Sequence, residues 1–398
     1  MHCLHFPEGV MNPTSRTAIA APKTDEGNAL RVAIVGTGMI SESHRRGALL
    51  AGGQLCGVLG SSPQRSREVA DHWNLEHAYP SFETLLDSDV DIVHIATPND
   101  THAAYSIAAL RAGKHVICEK PLGLDLVEAQ SMAAAAQESG LVATVPFVYR
   151  YHPLVREIRA RREAGEFGDL NLVHGSYLQD WMLPRNAASW RVSAGRGGRS
   201  RAFGDIGSHW VDLVEWVTGQ RFATLVAATS IAYPTRPGGS SPAFSGAVVD
   251  PEEVAVTTED SAVALLRTAD GLLASSTISQ VAAGRKNRLW FEIDGSRGSA
   301  AFDQENPETI WLGTDEGSRT IARSPGWGSA EQRRLSVLPA GHGQGYALAF
   351  DAFVSDTYSA VRGGGDPIGL PTFADGLRSA EVVDALLRSR DSGTWLAI

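Results

Sequence analysis

The feature that most constrains the fold is an apolar run that leads directly into a glycine-rich turn and then a helical stretch. Leu30–Val35 is apolar and rich in β-branched residues, the turn Gly36–Ser41 follows it, and a helix is predicted over residues 42–51. Strand and helix patterns then alternate to about residue 146 at the spacing of βαβ units. This pattern predicts an α/β fold with a doubly wound parallel sheet over residues 29–150.

A different pattern begins after Phe147. Short strands with turns between them are predicted from residue 171 to residue 312, and two helices, over 344–361 and 372–389, are predicted to close the chain. These features predict an α+β domain over residues 151–398 with a large, open, mostly antiparallel sheet, whose last helix could pack back on the first domain. Residues 232–259 are predicted to form a long loop, and residues 1–28 a disordered tail.

Composition excludes several classes of function. The chain has 398 residues, 43% hydrophobic, and a formal charge of −10, which argues against a nucleic-acid partner because duplex-binding surfaces are basic. Its three cysteines form no CxxC motif, and neither a membrane-spanning run nor a signal-peptide core is found. We expect a cytoplasmic protein with no membrane partner. An open sheet face is usually covered by another subunit, which predicts a homodimer or homotetramer.

The glycine-rich turn suits the pyrophosphate of a dinucleotide. Glycine lets backbone N–H groups approach phosphate oxygens, and the N-terminus of the next helix adds the positive end of its dipole. Gly36 and Gly38 occupy the first two positions of the Rossmann fingerprint, Met39 and Ile40 follow them, and Ser41 replaces the third glycine. The alternative is an ordinary strand-to-helix turn that binds no nucleotide.

The end of the second predicted strand bears on the choice of dinucleotide. An acidic residue there hydrogen-bonds the ribose of NAD, whereas small polar residues and arginine accept the 2′-phosphate of NADP. Residues 59–65 contain no acid, and Ser61, Ser62 and Arg65 could cradle a phosphate. The stretch therefore favours NADP over NAD, although a helix cap with a solvated arginine explains the same residues.

Three segments resemble the glucose–fructose oxidoreductase/inositol dehydrogenase/MocA (Gfo/Idh/MocA) family in order and spacing. They are Thr97-Pro98-Asn99 with His102, the stretch Gly113–Leu122 with its Glu119-Lys120-Pro121 motif, and the stretch Gly204–Asp212. The resemblance runs from about residue 30 to the C-terminus and implies a Rossmann domain with a cis Lys120–Pro121 bond. The residues that it places at the cofactor are Thr97, Pro98, Asn99, His102, Glu119, Lys120, Trp190 and Arg191.

The same segments contain residue types that suit hydride transfer at an alcohol carbon. Lys120 lies at the carboxyl end of a predicted parallel strand, where its ammonium could hydrogen-bond a reacting hydroxyl. Asp205 and His209 are four residues apart, on one face of a predicted helix, and a histidine that titrates near neutrality suits a general base. Asp205 would position the imidazole or bind substrate. From the residues alone, Lys120 is equally well explained as a lysine at a strand end, and Asp205 and His209 are better explained as a surface pair. The resemblance favours the catalytic interpretation of all three instead.

Several other residues are candidates for substrate contact. Arg150 and Tyr151 begin the second domain, Trp181 could stack on a sugar face, and His342 precedes a late helix. We predict no metal, because Asp205, His209 and Asp212 have no matched fourth ligand. The sequence therefore predicts an NAD(P)-dependent oxidoreductase acting on a sugar, polyol or inositol hydroxyl. The alternatives are a glycoside-cleaving hydrolase that oxidises its substrate transiently, and a dinucleotide-binding sensor without activity.

Overall fold

The computed structural model describes residues 29–187, 189–237 and 252–398, so the predicted tail 1–28 lies outside the described residues. The first part of the chain builds a six-stranded parallel sheet with the order β3-β2-β1-β4-β5-β6. Its strands are β1 (Arg31–Val35), β2 (Gln54–Leu59), β3 (His77–Ala78), β4 (Ile92–Ile95), β5 (His115–Cys118) and β6 (Ala143–Thr144). Its helices are α1 (Met39–Leu50), α2 (Pro63–Trp73), α3 (Phe82–Leu86), α4 (His102–Arg111) and α5 (Leu126–Ser139).

The buried strands explain why this part is doubly wound. All four residues of β4 are buried, and so are four of the five residues of β1, because helices cover both faces of the sheet. The strand order reverses between β1 and β4, so the connections that leave the carboxyl ends of these two strands run to opposite faces of the sheet and leave a crevice. The prediction of a doubly wound parallel sheet is confirmed.

The second part of the chain forms a nine-stranded sheet of order β16-β15-β14-β13-β7-β12-β11-β8-β17. Neighbouring strands are antiparallel except for β7 and β12, which pair in parallel, so the sheet is mostly antiparallel, as predicted. Its strands are β7 (Leu170–Leu178), β8 (Phe222–Ser230), β11 (Ser261–Thr268), β12 (Leu273–Ser279), β13 (Arg288–Gly295), β14 (Ser299–Asp303), β15 (Thr309–Thr314), β16 (Gly317–Ala322) and β17 (Leu396–Ala397).

Helices cover one face of this sheet and leave the other open. The helices in contact with it are α6 (Pro153–Glu163), α8 (Ser208–Thr218) and α11 (Phe373–Ser392). The remaining helices of this part are α7 (Ala194–Gly197), α9 (Ala330–Leu335) and α10 (Tyr346–Val361), and they pack on other helices and turns. A π-helical turn, Phe203–Gly207, precedes α8, and short 3-10 turns span Asn99–Thr101, Val148–Tyr151 and Trp190–Val192. Along β11 buried residues alternate with outward-facing ones, which are mostly exposed, and this alternation is typical of a sheet with one covered face.

The structure corrects the prediction of a long loop over residues 232–259. Within this stretch β9 (Thr235–Pro237) pairs with β10 (Glu253–Ala255) in antiparallel register, while residues 238–251 lie outside the described residues. Five further elements, α3, α7, α9, β16 and β17, were not predicted. Each has between 2 and 6 residues, so it carries little periodicity to recognise.

The last two long helices pack back on the first part of the chain. Helix α10 packs against α1, and α11 packs against α5. The α1–α10 contact is close at Gly47, because a Cβ added there would lie 2.8 Å from Cγ2 of Val354. Among the residues described, no helix combines the length and apolarity needed to cross a membrane.

Candidate functional site

A cleft of about 390 Å³ lies between the carboxyl edge of the parallel sheet and the second part of the chain. From the first part it is lined by Met39, Ile40, Ser43, Thr97, Asn99, Glu119 and Lys120. From the second part it is lined by Tyr149, Tyr177, Gln179, Trp181, Trp190, Arg191, Asp205, Ile206, His209, Lys286, Asn287 and Tyr346. Residues from distant parts of the sequence therefore share one concave surface.

The glycine-rich turn at the edge of this cleft has the shape that a pyrophosphate requires. Gly36 has a φ of +109°, and a Cβ there would lie 2.3 Å from the carbonyl oxygen of Ala96. Gly38 precedes the first turn of α1, and the space that its Cβ would occupy is open. Ser41 stands in the third glycine position and its hydroxyl donates to the carbonyl of Gly36. The turn therefore fits a dinucleotide phosphate held by the N-terminus of α1.

The residues after β2 lie next to this turn. Ser62 caps α2 by accepting a hydrogen bond from the backbone N–H of Arg65. The Arg65 guanidinium lies 3.3 Å from the Thr37 hydroxyl, so it reaches across to the glycine-rich turn. Ser61 and Arg65 are exposed, and Arg65 also pairs with Glu68. The two roles that the sequence predicts for these residues, capping of a helix and binding of a phosphate, are therefore compatible with each other.

Lys120 and Asp205 meet across the cleft. The Nζ atom of Lys120 donates to Oδ1 of Asp205 at 2.6 Å and to the backbone carbonyl of Asp205 at 2.9 Å. Gln280 donates to the other carboxylate oxygen of Asp205 at 2.8 Å. The Lys120–Pro121 bond is cis, as the resemblance implies. Both carboxylate oxygens of Asp205 are therefore engaged by the side chains of the cleft wall.

His209 faces the cleft one turn after Asp205, but the two side chains are not hydrogen-bonded to each other. The His209 ring is 7% exposed and packs edge-on against Phe147 and Tyr149. Its Nδ1 atom is buried and has no partner among the described residues. The prediction that Asp205 positions this imidazole is therefore corrected, because Asp205 is directed to Lys120 and Gln280 instead.

Burial and charge shift the pKa values of these groups in directions that suit proton transfer. Burial lowers the pKa of His209 well below its ordinary value of 6.5, the Lys120 ammonium lowers it further, and Asp205 opposes both. Burial alone would raise the pKa of Asp205, but Lys120 and Arg191 outweigh it and hold that pKa well below its ordinary value. At neutral pH the cleft therefore holds a neutral imidazole beside a lysine–aspartate ion pair.

Aromatic and amide side chains form the far wall of the cleft. The hydroxyls of Tyr149 and Tyr177 lie 2.6 Å apart, and Asn287 donates to Tyr149 and accepts from Tyr177. Gln179 donates to Asn287 at 3.0 Å and accepts from the indole N–H of Trp181 at 2.9 Å. These groups present hydroxyls, amides and an indole face, which is a surface suited to polyhydroxylated ligands.

Trp190 and Arg191 enter the cleft from a short 3-10 turn. The guanidinium of Arg191 stacks 4.4 Å from the Trp190 ring centroid and 6.0 Å from that of Trp181. From the first part of the chain, the Asn99 side chain donates to the carbonyl of Gly197 in the second part. Both parts of the chain thus contribute to the region where the resemblance places the nicotinamide.

The structure moves several predicted residues away from the cleft. Arg150 is buried and pairs with Asp212 and Asp375, and Tyr151 lies in an apolar cluster beneath the guanidinium of Arg156. His342 is exposed, and its backbone carbonyl accepts from Arg323. The predictions that these three residues contact substrate are corrected. Because Asp212 is bound to Arg150, it is also not a partner for His209.

His102 and Pro98 support the cleft without lining it. The His102 ring is fully buried, with Nδ1 2.9 Å from the Pro121 carbonyl and Nε2 3.0 Å from the Thr97 carbonyl. Pro98 precedes the 3-10 turn that carries Asn99. Of the residues predicted in this segment, Thr97 and Asn99 line the cleft. The prediction that His102 contacts the cofactor directly is therefore corrected, and the contact of Pro98 stays a prediction.

Some residues that line the cleft were not predicted as ligands. Tyr149 was passed over in favour of its neighbours Arg150 and Tyr151, because a 3-10 turn does not reveal which residue faces inward. Tyr177 and Asn287 line the cleft as well, and Gln280 contacts Asp205 from outside the lining. These three residues come from separate segments of the chain, and no local sequence pattern links them. Outside the cleft, one group with metal-ligand spacing occurs in the described ranges, His174, Glu292 and Asp294.

Comparison with known proteins identifies both parts of the chain. A family model described as the oxidoreductase family, NAD-binding Rossmann fold, matches residues 30–147. A second model, for the GFO/IDH/MocA C-terminal domain, matches residues 155–301. Together these matches span more than half of the chain.

Individual relatives agree with this assignment. A levoglucosan dehydrogenase from Pseudarthrobacter phenanthrenivorans is 32% identical over 353 residues, 86% of this chain and 88% of that protein. The structure of a levoglucosan dehydrogenase with NADH and L-sorbose superposes with a TM-score of 0.85 at 29% identity, covering 93% of this chain and 98% of that one. An inositol dehydrogenase homologue from Azotobacter vinelandii, complexed with NAD+, superposes with a TM-score of 0.80 at 26% identity, covering 98% and 100% of the two chains.

Proposed function

The chain belongs to the Gfo/Idh/MocA family of oxidoreductases, and we propose that it is a dehydrogenase of a neutral cyclic sugar or anhydro-sugar. The observation that carries this proposal is that Lys120, Asp205 and His209 line one cleft with the residues that follow the glycine-rich turn. A substrate hydroxyl bound between Lys120 and His209 has a hydrogen-bond donor, the Lys120 ammonium, and a proton acceptor, the His209 ring.

The side chains of the cleft divide the chemistry among them. When bound, the dinucleotide supplies a nicotinamide ring that accepts or returns the hydride. The Lys120 ammonium donates to the substrate oxygen and stabilises the negative charge that grows as the hydroxyl proton leaves. His209, neutral at pH 7, accepts that proton. Asp205 holds the ammonium in place and, with Gln280, fixes its direction.

The charges in the cleft favour a neutral substrate. Lys120 is paired with Asp205, and Lys286 is paired with Asp180 at 2.7 Å. A phosphate or carboxylate group would have to compete with these carboxylates for the lysines. The hydroxyl and amide groups around Asn287 instead match sugar hydroxyls, and Trp181 offers a face for sugar C–H groups.

A substrate panel tests the proposal directly. Levoglucosan, other anhydro-sugars, inositols, glucose and glucose 6-phosphate are incubated with NAD+ and with NADP+, and the reduced nicotinamide is followed by absorbance. We expect reduction of one equivalent of dinucleotide per neutral sugar oxidised, and poor turnover of the phosphorylated sugar. Release of a sugar without net reduction would instead support a glycoside-cleaving hydrolase. Dinucleotide binding without turnover of any substrate would support a sensor.

For the dinucleotide, we propose a preference for NADP over NAD. No acid follows β2, and the Arg65 side chain lies beside Thr37, where it could bind a 2′-phosphate. Replacement of Arg65 by alanine should lower kcat/KM for NADP+ about tenfold or more, because a charged hydrogen bond is lost, and should leave kcat/KM for NAD+ nearly unchanged. Equal losses with both dinucleotides would contradict this role of Arg65, and a wild-type preference for NAD+ would contradict the proposal itself.

A cytoplasmic location and a homodimer or homotetramer complete the proposal. The cysteines in the described ranges, Cys56 and Cys118, are buried and unpaired, which agrees with a reducing compartment. The open face of the large sheet carries the exposed apolar residues Leu172, Val263, Leu265, Leu273 and Trp311. Apolar patches of this kind are typical of surfaces that another subunit covers.

A further inference from the structure

Behind the cleft, a line of buried hydrogen bonds ends on Glu119. Nε2 of His44 lies 3.2 Å from Oε1 of Glu119, and the Nδ1 atoms of His44 and His94 lie 3.1 Å apart. The hydroxyl of Tyr358 lies 2.9 Å from Nε2 of His94. His44, His94 and Tyr358 are completely buried. They come from α1, β4 and α10, so the line connects the second part of the chain to the first.

The chemistry of these groups gives the line a direction. Burial raises the pKa of Tyr358 and lowers that of His94, so the phenol keeps its proton and the His94 ring stays neutral. The Glu119 carboxylate only accepts, so Nε2 of His44 carries the proton between them. With one proton on each imidazole ring, Nδ1 of His44 then accepts from Nδ1–H of His94, and Nε2 of His94 accepts from the hydroxyl of Tyr358. In this tautomer every donor in the line points toward Glu119.

Glu119 lines the cleft and is held at both oxygens. Its Oε2 accepts from the backbone N–H of Lys120 at 3.2 Å, while Oε1 accepts from His44. Burial alone would raise the pKa of Glu119, but His44 and Lys120 outweigh it and lower that pKa. Glu119 follows β5, which lies across the switch point from β2 and Arg65, so it borders the nicotinamide half of a dinucleotide.

We infer that His44, His94 and Tyr358 are positioning residues that hold Glu119 as an oriented anion beside the nicotinamide, and that they thereby favour the oxidised over the reduced dinucleotide. The oxidised ring carries a positive charge and the reduced ring is neutral, so a fixed carboxylate attracts only the oxidised form. This inference rests on the dinucleotide binding of the proposed function, and it adds a role for a cluster outside the cleft.

Equilibrium binding of oxidised and reduced dinucleotide tests the inference without any substrate. Replacement of Tyr358 by phenylalanine removes only the hydroxyl, and it frees His94 and then His44 to take the other tautomer. We expect Kd for the oxidised dinucleotide to rise roughly three- to tenfold, with Kd for the reduced form little changed. The matched control is Tyr151→Phe in the same apolar cluster, whose hydroxyl has no partner among the described residues, and it should change neither Kd.

A double-mutant cycle separates an effect through Glu119 from a general loss of packing. Glu119→Gln alone should raise Kd for the oxidised form on the order of a hundredfold, the size expected for a charge about 6 Å away at an effective dielectric constant of about 20. Tyr358→Phe should then have no further effect in the Glu119→Gln background. Additive effects, or equal weakening of both dinucleotide forms, would overturn the inference while leaving the proposed function intact. Failure to bind either dinucleotide would overturn both.

Discussion

At the scale of single residues, the cleft combines groups whose opposite charges hold one another in place. Lys120 is fixed by Asp205, and Asp205 is fixed by Gln280, so the ammonium has one direction before substrate enters. His209 stays outside this pair, and its buried Nδ1 atom has no hydrogen-bond partner within the described part of the chain. A preorganised donor beside a free base is the arrangement that hydride transfer from an alcohol requires.

Lys120→Ala removes the donor to the reacting oxygen. We expect kcat to fall on the order of a hundredfold to a thousandfold, while Kd for the dinucleotide, measured by fluorescence, changes little. Lys114→Ala is the matched control, because Lys114 donates to the Ser88 carbonyl far from the cleft. Turnover by the Lys120 variant close to that of the Lys114 variant would remove Lys120 from the mechanism.

The pH dependence of activity follows from the pKa of His209. Because burial and Lys120 lower this pKa below 6.5, the imidazole remains a free base as the pH falls through 6.5. The acidic limb of the profile of kcat/KM against pH should therefore lie below pH 6.5. An acidic limb above this value would show that His209 is not the essential base, or that its pKa is not lowered.

The stability of the folded protein should also decrease as the pH falls. His94, His102 and His209 are buried with pKa values lowered by burial, and burial lowers that of His152 to about 3. Below about pH 6.5 these histidines bind protons more readily in the unfolded chain than in the folded protein. The free energy of unfolding therefore decreases as the pH falls. Each such histidine contributes about 1.4 kcal/mol per pH unit. Urea unfolding at several pH values checks this slope, and a flat profile between pH 6.5 and pH 5 would contradict it.

Single residues also show how much of the candidate site could be predicted from the sequence. Lys120, Asp205 and His209 were predicted because each lies in a contiguous motif, and the structure brings all three to one cleft. Gln280 and Asn287 were not, because the cleft side chains that they contact lie 75 to 138 residues away in the sequence, and the motifs do not encode these contacts. The bond of His94 to Tyr358 likewise depends on a helix that comes 264 residues later.

At the scale of elements, the contact between α1 and α10 depends on the absence of a side chain. Gly47 lies in the middle of α1, where glycine costs about 1 kcal/mol relative to alanine, and the close approach of Val354 explains why it is tolerated. The helix predicted over residues 372–389 is confirmed as α11, which begins with a capping box at Thr372 and extends to Ser392, before Gly393 in the left-handed region. Helix α3 was missed although Ser81 caps it, because its 5 residues carry little periodicity.

Gly47→Ala tests this contact. Despite the better helix propensity of alanine, we expect the free energy of unfolding to fall by about 1–3 kcal/mol, because the new methyl group overlaps Val354. Adding Val354→Ala should recover part of this loss, since the smaller side chain makes room for the methyl group. A gain in stability for Gly47→Ala alone would show that the helices move apart without cost.

At the scale of the whole molecule, the open face of the large sheet is the surface that remains without a cover in a single chain. The proposed assembly would bury its apolar residues against a second copy. Leu265→Lys should therefore shift the mass measured by light scattering toward the monomer, because a lysine in the middle of β11 would be buried without a partner. Val127→Lys on α5, equally apolar and exposed, should leave the mass unchanged. A wild-type monomer would contradict the proposed assembly.

The docking of α10 and α11 on the first part of the chain has a consequence for synthesis on the ribosome. The surfaces of α1 and α5 that receive these helices are complete early, but their partners lie in the last fifty or so residues of the chain. The apolar flanks of the first part of the chain therefore stay uncovered during synthesis until α10 and α11 have been translated. Truncation near the C-terminus would leave that part unfinished, however intact its own sequence.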